Sequence, residues 1–238
     1  MDNTQRLNKY LANRGICSRR NVEIFLKANN VTVNGQRIIE QGFRVDPKID
    51  AILLNGKKIV PPKFVYYLLN KPKSVVSTTA DEYGRKNVIS LIPTNERIYP
   101  VGRLDKDTTG LLLLTNDGDL TNHLIHPKYH VEKVYRLQIQ GKATAAQLSA
   151  FRNGVLLDDG ITAPAKVSVL HTNGGVLEVI VTIHEGRNRQ IRRMCETVGI
   201  RLLALERISF GPINLGNMKV GMYRSLTGKE IEKLKNVR

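Results

Sequence analysis

The chain has 238 residues, and its 37 Lys and Arg against 21 Asp and Glu give a formal charge of +16. A hydrophobic content of 41 % with 24 % charged residues is that of an ordinary globular protein and excludes a disordered chain. No apolar run approaches the roughly 18–20 residues that span a bilayer, residues 1–6 lack the apolar core of a secretory signal, and Cys17 and Cys195 make neither a disulfide framework nor a metal-ligand spacing. A cytoplasmic protein with no membrane partner is expected. The excess charge points to a polyanion, nucleic acid first; plain solubility or weak adhesion to anionic lipid would also produce it. With no Trp and 5 % aromatics, a broad base-stacking platform is disfavoured.

Residues 1–60 hold eleven basic and five acidic side chains, about twice the positive charge per residue of the remainder, and Pro61-Pro62 marks the boundary. Domains 1–60 and 61–238 are therefore expected. Leu7, Tyr10 and Leu11 share one face of a first helix closed by Gly15. Ser18 is read as the cap of a second, with Val22, Phe25 and Leu26 inward. Asn34-Gly35 and Asn55-Gly56, each between alternating apolar residues, predict two tight hairpins.

Beyond the prolines, strands are expected over 64–69, 97–101, 110–115, 134–140 and 176–184. Helices are expected from Asp117 or Asp119 to His126, over 144–152, over 187–198, and after the capping box Thr227-Gly-Lys-Glu230. Strands outnumber helices and long crossovers are few, so the class is α+β with a mostly antiparallel mixed sheet.

Phosphate loops, dinucleotide turns, nucleophile elbows and Cys-x-x-Cys pairs are missing, so no small-molecule cofactor is expected. His123, His126 and His130 are spaced for a conceivable metal site, but Pro127 interrupts the helix that would align them. Two segments stand out. Gly102-Arg103-Leu104-Asp105-Lys106-Asp107-Thr108-Thr109-Gly110 sets carboxylates on a loop between apolar strands, where chemistry is often carried; a polar turn with amide-capping aspartates explains it equally well. Asp105 and Asp107 alternate along an extended chain and should diverge, which makes a poor acid–base pair. Glu185-Gly-Arg187-Asn-Arg189-Gln-Ile-Arg192-Arg193-Met194 puts four arginines at a helix start, an anion site for phosphates or a carboxylate. On a helix, Arg189, Arg192 and Arg193 would share one face, with Ile191 and Met194 buried opposite. A solvated basic face is the blander explanation.

These two segments, with Glu132-Lys-Val-Tyr135-Arg136 between them, resemble in order and spacing the three core motifs of RNA pseudouridine synthases. The branch is the one that modifies ribosomal RNA (RsuA, RluB, RluE and RluF), with local features leaning toward RluF and RluB. Leu7-Asn-Lys-Tyr-Leu11 through Ile16-Cys-Ser-Arg-Arg20 resembles the small alpha-L RNA-binding domain at the N-terminus of that branch. The resemblance spans essentially the whole chain. The long basic C-terminal tail of some members has no counterpart here.

The resemblance implies an isomerase that cuts uracil from ribose, turns it and rejoins it through a ring carbon. Asp105 would be the nucleophile, toward either sugar or ring. Arg192 would be the cation that keeps a carboxylate charged in a desolvated pocket. Tyr135 would pack on the base and take the ring proton. The base must be flipped out of its RNA, with Arg103 filling the gap or holding a phosphate. Lys9, Arg14, Arg19, Arg20 and Lys27 would contact phosphates from the first domain, and Arg187 and Arg189 from the second. The partner implied is ribosomal RNA or a subunit precursor, large-subunit RNA before small-subunit RNA, and a monomer is expected. The rival class is a non-enzymatic RNA-binding assembly factor. A metal-dependent nuclease is disfavoured by the divergence of Asp105 and Asp107.

Overall fold

A computed structural model describes residues 3–40, 42–79, 81 and 83–237. The chain forms two compact units: Met1–Val65 with Asn95–Arg97 and Asn116–Asp119, and Tyr66–Thr94 with Ile98–Thr115 and Leu120–Arg238.

In the first unit, helices α1 (Leu7–Asn13) and α2 (Val22–Ala28) pack beside a four-stranded sheet of β1 (Val31–Val33), β2 (Gln36–Arg37), β3 (Ile52–Leu54) and β4 (Lys57–Lys58), ordered β2-β1-β3-β4. Leu7, Tyr10, Leu11, Val22 and Leu26 join the sheet residues Val31, Val33 and Ile52 in one core, with Phe25 partly buried against it. Both Asn-Gly turns form as expected: Asn34 and Asn55 take φ of 51° and 50°, followed by Gly35 at 84° and Gly56 at 77°. Positive φ at both central residues is the hairpin geometry that matches strand twist. Ser18 does not cap α2. Its hydroxyl accepts from Asn21 N at 3.1 Å and so closes a turn ahead of the helix.

The second unit is built on one large sheet. Its main strands are β5 (Tyr66–Lys71), β6 (Thr109–Thr115), β7 (Lys133–Gln140), β8 (Lys166–Asn173), β9 (Val176–Ile183), β10 (Leu202–Phe210) and β11 (Tyr223–Ser225), ordered β8-β9-β7-β10-β6-β5-β11. Every neighbouring pair is antiparallel except β10 with β6, which run parallel over Glu206↔Thr109 and Arg207↔Gly110. The α+β, mostly antiparallel expectation therefore describes the sheet.

Helices α3 (Gly118–Ile125) and α6 (Gly228–Lys235) contribute Leu120, Leu124 and Leu234 to a core against Leu68, Leu111, Leu113 and Phe210. Helices α4 (Ala145–Asn153) and α5 (Gln190–Thr197) contribute Phe151, Ile191, Met194 and Cys195 to a second core against Leu137, Val179, Val181 and Leu205. Burial pushes the Cys195 thiol up to about 12, so it behaves as a small apolar side chain. Leu111–Leu114 are all buried because β6 is covered on both faces, which is why its sequence reads as a continuous apolar run.

Several boundaries shift. The strand expected over 64–69 runs Tyr66–Lys71 because its last two polar residues are buried and bonded internally, Asn70 Nδ2 donating to Met218 O at 2.8 Å. The strand expected over 97–101 shrinks to Tyr99–Pro100 against β6, where Pro100 has no amide to extend a ladder. Among the described residues, no helix is long and apolar enough to cross a membrane.

Candidate active site

A single parallel contact brings the aspartate loop to the arginine helix. β6 can lie beside β10 because its second residue is glycine: a Cβ on Gly110 would sit 2.2 Å from the carbonyl oxygen of Arg207, and Gly110 holds a φ of 102°. The loop 101–108 that leads into β6 thus arrives at the mouth of the β7–β10 pair.

The loop is pinned from β5 and the residues after it. Lys71 is fully buried, and its Nζ donates to the carbonyls of Pro72 at 2.9 Å, Lys106 at 3.2 Å and Thr108 at 2.9 Å, matching three donors to three acceptors. Burial pulls its pKa down to about 8, opposed by the charges of Asp107 and Asp105. Ser77 grips the same loop, its hydroxyl donating to Leu104 O at 2.8 Å and accepting from Leu104 N at 3.2 Å. Residues 106–107 form a turn rather than extended chain, with Thr108 N donating to Asp105 O at 3.1 Å. Asp105 lines a cavity while Asp107 is exposed outside it, so the two diverge, though through a turn and not a pleat.

From the other side, Arg192 on α5 reaches in. Its Nε lies 3.6 Å from Asp105 Oδ2, an ion pair slightly longer than a hydrogen bond, and its Nη2 donates to Thr108 Oγ1 at 3.1 Å. Arg192 and Asp105 side chains are 16 % and 30 % exposed, so the pair is shielded but open toward the cavity. That cavity, about 390 Å³, is walled by Tyr135, Ile183, Leu205 and Phe210, with Arg103, Arg189 and Glu185 among its polar lining. Tyr135 pairs with Arg207 in the β7–β10 register.

The structure therefore gathers Asp105, Tyr135, Arg103, Arg187 and Arg189 around one cavity, with Arg192 behind Asp105 and paired to it. Their arrangement differs from a shared helical face. Arg189 sits at the N-cap of α5 with a left-handed φ of 47°, and Arg193 turns away to Asp159, bonding both carboxylate oxygens at 3.0 Å. Those bonds hold the Asp159 carboxyl below its usual range. Arg187, expected at RNA, spends its guanidinium inside the protein on Glu185 at 3.2 Å, Gly160 O at 2.9 Å and Ile161 O at 2.6 Å. It fixes the hairpin at 156–161 to the loop before α5. Arg103 and Arg189 are exposed at the rim with no side-chain partner among the described residues.

In the first unit, Arg19 and Arg20 are exposed and without side-chain partners among the described residues, while Arg14 lies 5.0 Å over the Tyr10 ring. Lys9 pairs with Asp119 at 2.7 Å and Lys27 with Glu23 at 2.8 Å, so both are partly neutralised. The three histidines do not assemble. His123 Nε2 lies 2.6 Å from Val237 O, His130 packs on His184, and among the described residues no group of three or more His, Cys, Asp or Glu could hold a metal.

The sequence motifs assign no role to Lys71, Lys133 or Arg207. Lys133 and Arg207 carried a readable signal. Lys133 is in phase with Tyr135, Leu137 and Ile139, and Arg207 with Leu205, on the inward side of their strands.

A carboxylate backed by a counter-cation and a tyrosine ring on the wall of the same cavity are an arrangement suited to nucleophilic attack beside a flat ring. The family model for RNA pseudouridylate synthase matches residues 65–197, and the S4 domain model matches residues 5–48. The chain belongs to the RNA pseudouridylate synthase family and carries an S4 domain at its N-terminal end. It is 42 % identical over 97 % of its length, and 96 % of the relative's, to "Ribosomal large subunit pseudouridine synthase B" of Bacillus subtilis. It is 36 % identical over 97 % of its length to the Escherichia coli "Dual-specificity RNA pseudouridine synthase RluF", of which 78 % is covered. Among solved structures, a pseudouridylate synthase crystal structure superposes with a TM-score of 0.71 at 30 % identity, covering 96 % of this chain and 99 % of that one.

Proposed function

We propose that the protein isomerises a uridine of large-subunit ribosomal RNA to pseudouridine, with the chain divided at residues 60 and 61 into a binding part and a catalytic part. The observation that carries this reading is the 3.6 Å approach of Arg192 Nε to Asp105 Oδ2 at the wall of the 390 Å³ cavity shared with Tyr135. A carboxylate facing a polyanion weakens plain binding, so its place in a basic cleft favours chemistry. Asp105 is the nucleophile, and Arg192 compensates its charge in the shielded pocket. Tyr135 packs on the flipped base and receives the ring proton. Arg103 at the rim fills the gap left by the flipped base or holds a phosphate, and Arg189 contacts a phosphate. Arg14, Arg19 and Arg20, with Lys9 and Lys27 as weaker contributors, ground the first unit on phosphates. The large-subunit assignment is supported by the 42 % identity to the Bacillus subtilis large-subunit enzyme.

The test is tritium release from ribosomal RNA labelled at carbon five of uracil, with wild type and Asp105→Asn side by side. Release by the wild type alone supports the reading and the nucleophile together. No release from naked RNA or from subunits would return the protein to the class of RNA-binding assembly factors, and release by both forms would remove Asp105 from its role.

A further inference from the structure

Lys133 and Arg207 line the same cavity, and none of the roles above uses them. Arg207 pairs with Tyr135 across the strands, and Lys133 precedes Tyr135 by two residues on the same side of β7. A register shift between Val134 and Tyr135 lets Arg207 and Phe210, three residues apart on β10, face the cavity together. The Arg207 guanidinium lies 5.1 Å over the Phe210 ring and its Nε donates to Leu111 O at 2.8 Å. Arg207 is only 3 % exposed, yet its Nη2 is buried with no partner among the described residues. Lys133 Nζ makes one hydrogen bond, to His184 O at 2.9 Å, and so has two further donors.

The two cations also feel each other. Burial, then the charge of Arg207, pulls the Lys133 pKa down to about 8, with Glu185 opposing. Glu185 is committed elsewhere, accepting from Arg187, Gln190 and Ala163 N. Two repelling cations with spare donors, in a wall of apolar side chains, are costly until something negative enters.

We propose that Arg207 and Lys133 form the site that receives a carbonyl oxygen of the target uracil and holds the negative charge of the base once it is cut from ribose. This deepens the pseudouridine synthase reading and rests on it. Breaking the N1–C1′ bond leaves the electron pair on the base, where it spreads from N1 over both carbonyl oxygens. With Asp105 attacking the sugar, its carboxylate takes C1′ as the base leaves. A ring electron pair then forms the C1′–C5 bond as the Asp105–C1′ bond breaks, the C5 proton leaves and N1 takes up a proton, so no atom is gained or lost and the carboxylate is regenerated. Fixed cations at an oxygen ease the first step and keep the detached base from escaping while it turns. A phosphate is the other anion at hand, but the burial of Arg207 among Ile183, Leu205 and Phe210 suits a flat base edge better than a hydrated diester.

The test compares single-turnover rates on large-subunit ribosomal RNA transcripts made with uridine or with 5-fluorouridine, read as loss of the parent nucleoside at the target position. Fluorine withdraws electrons and makes the base a better leaving group, so it should compensate for a missing cation. Lys133→Met is expected to slow uridine loss about 100-fold and fluorouridine loss no more than about 10-fold, the scale of one lost charge-stabilising donor. Lys133→Arg should recover most of the rate, and RNA affinity should stay within about twofold of wild type, since no phosphate contact is lost. Should Lys133→Met melt early, Arg207→Lys is measured in its place, with the same pattern expected. Equal slowing on both RNAs overturns the inference, and so does a loss of RNA affinity large enough to account for the rates, the mark of a phosphate grip. A wild type inert on both transcripts removes the pseudouridine synthase reading itself, and the inference with it.

Discussion

Lys71 and Thr108 are joined at 2.9 Å, ammonium to carbonyl, and the hydroxyl of the same threonine accepts from Arg192 at 3.1 Å. Thr108 is thus held through its backbone by a buried cation and through its side chain by a half-buried one. The loop that presents Asp105 is fixed at the residue where both meet.

Thr108→Val keeps the shape of that side chain and removes the acceptor. Arg192 would lose the bond that aims it while the fold keeps its packing. Expected is a fall in kcat of about 10-fold, of the size that misaimed positioning groups produce. Stability should fall by about 1 kcal/mol, the usual worth of one hydrogen bond. Steady-state kinetics beside a urea titration would separate the two.

Lys71→Met leaves three loop carbonyls without their donor and should cost about 2–4 kcal/mol. The effect depends on pH with a definite sign. The folded pKa of Lys71, about 8, lies below its unfolded value, so between about 8 and 10.5 the unfolded chain binds more protons. Wild-type stability should therefore gain from this group as pH rises through that window, by at most about 1.4 kcal/mol per pH unit. Lys133 contributes in the same window. Denaturation midpoints at pH 7.5, 9 and 10 should show a shallower rise for the variant than for the wild type; parallel curves would contradict the burial of the charge.

Gly110→Ala should be among the most damaging single-methyl changes in the chain. The added carbon would meet the Arg207 backbone at 2.2 Å from a backbone angle of 102°, so both sterics and conformation oppose it. A loss of about 4 kcal/mol or more, or failure to accumulate folded protein, is expected. Gly141→Ala, also at positive φ but with nothing within 4 Å, serves as the control and should cost only the conformational strain, about 1 kcal/mol.

Glu230 closes the capping box of α6 and accepts from both terminal guanidinium nitrogens of Arg224, at 2.8 and 2.7 Å. The bonds from Arg224 hold its carboxyl down to about 2. Because the folded pKa is depressed, this stabilisation is full above the unfolded value near 4.5 and is lost as pH falls toward 2. Glu230→Gln should cost about 1–2 kcal/mol at pH 7 after allowance for solvent screening. The gap between variant and wild type should narrow steadily below pH 4.5 in thermal melts.

The parts of the fold that were legible in the sequence are those set by neighbours along the chain. The Asn34-Gly35 and Asn55-Gly56 turns, the Thr227–Glu230 cap and the apolar run of β6 follow from local chemistry, and they stand where expected. The Asp105, Tyr135 and Arg192 motifs were visible as motifs, and the structure adds that Asp105 and Tyr135 line one cavity while Arg192 backs Asp105 at 3.6 Å. Lys71 was not visible, since a lysine before a proline reads as a surface loop and its acceptors Lys106 and Thr108 lie 35 and 37 residues away. The internal bonds of Arg187 were not visible either, because the hairpin carbonyls that take its donors, Gly160 and Ile161, lie 27 and 26 residues away in the chain.

Among the described residues, the backbone ladders of the two antiparallel halves of the large sheet are joined at the parallel seam Glu206↔Thr109 and Arg207↔Gly110. Those partners are 97 residues apart in the chain, whereas β7 to β10 and β5 to β6 can each zip up from nearer contacts. Closure over so long a loop is the slow kind of event in folding. A molecule caught before the seam closes would possess its helices and most of its strand pairing yet lack a cleft, so recovery of catalysis during refolding should trail recovery of the circular dichroism signal.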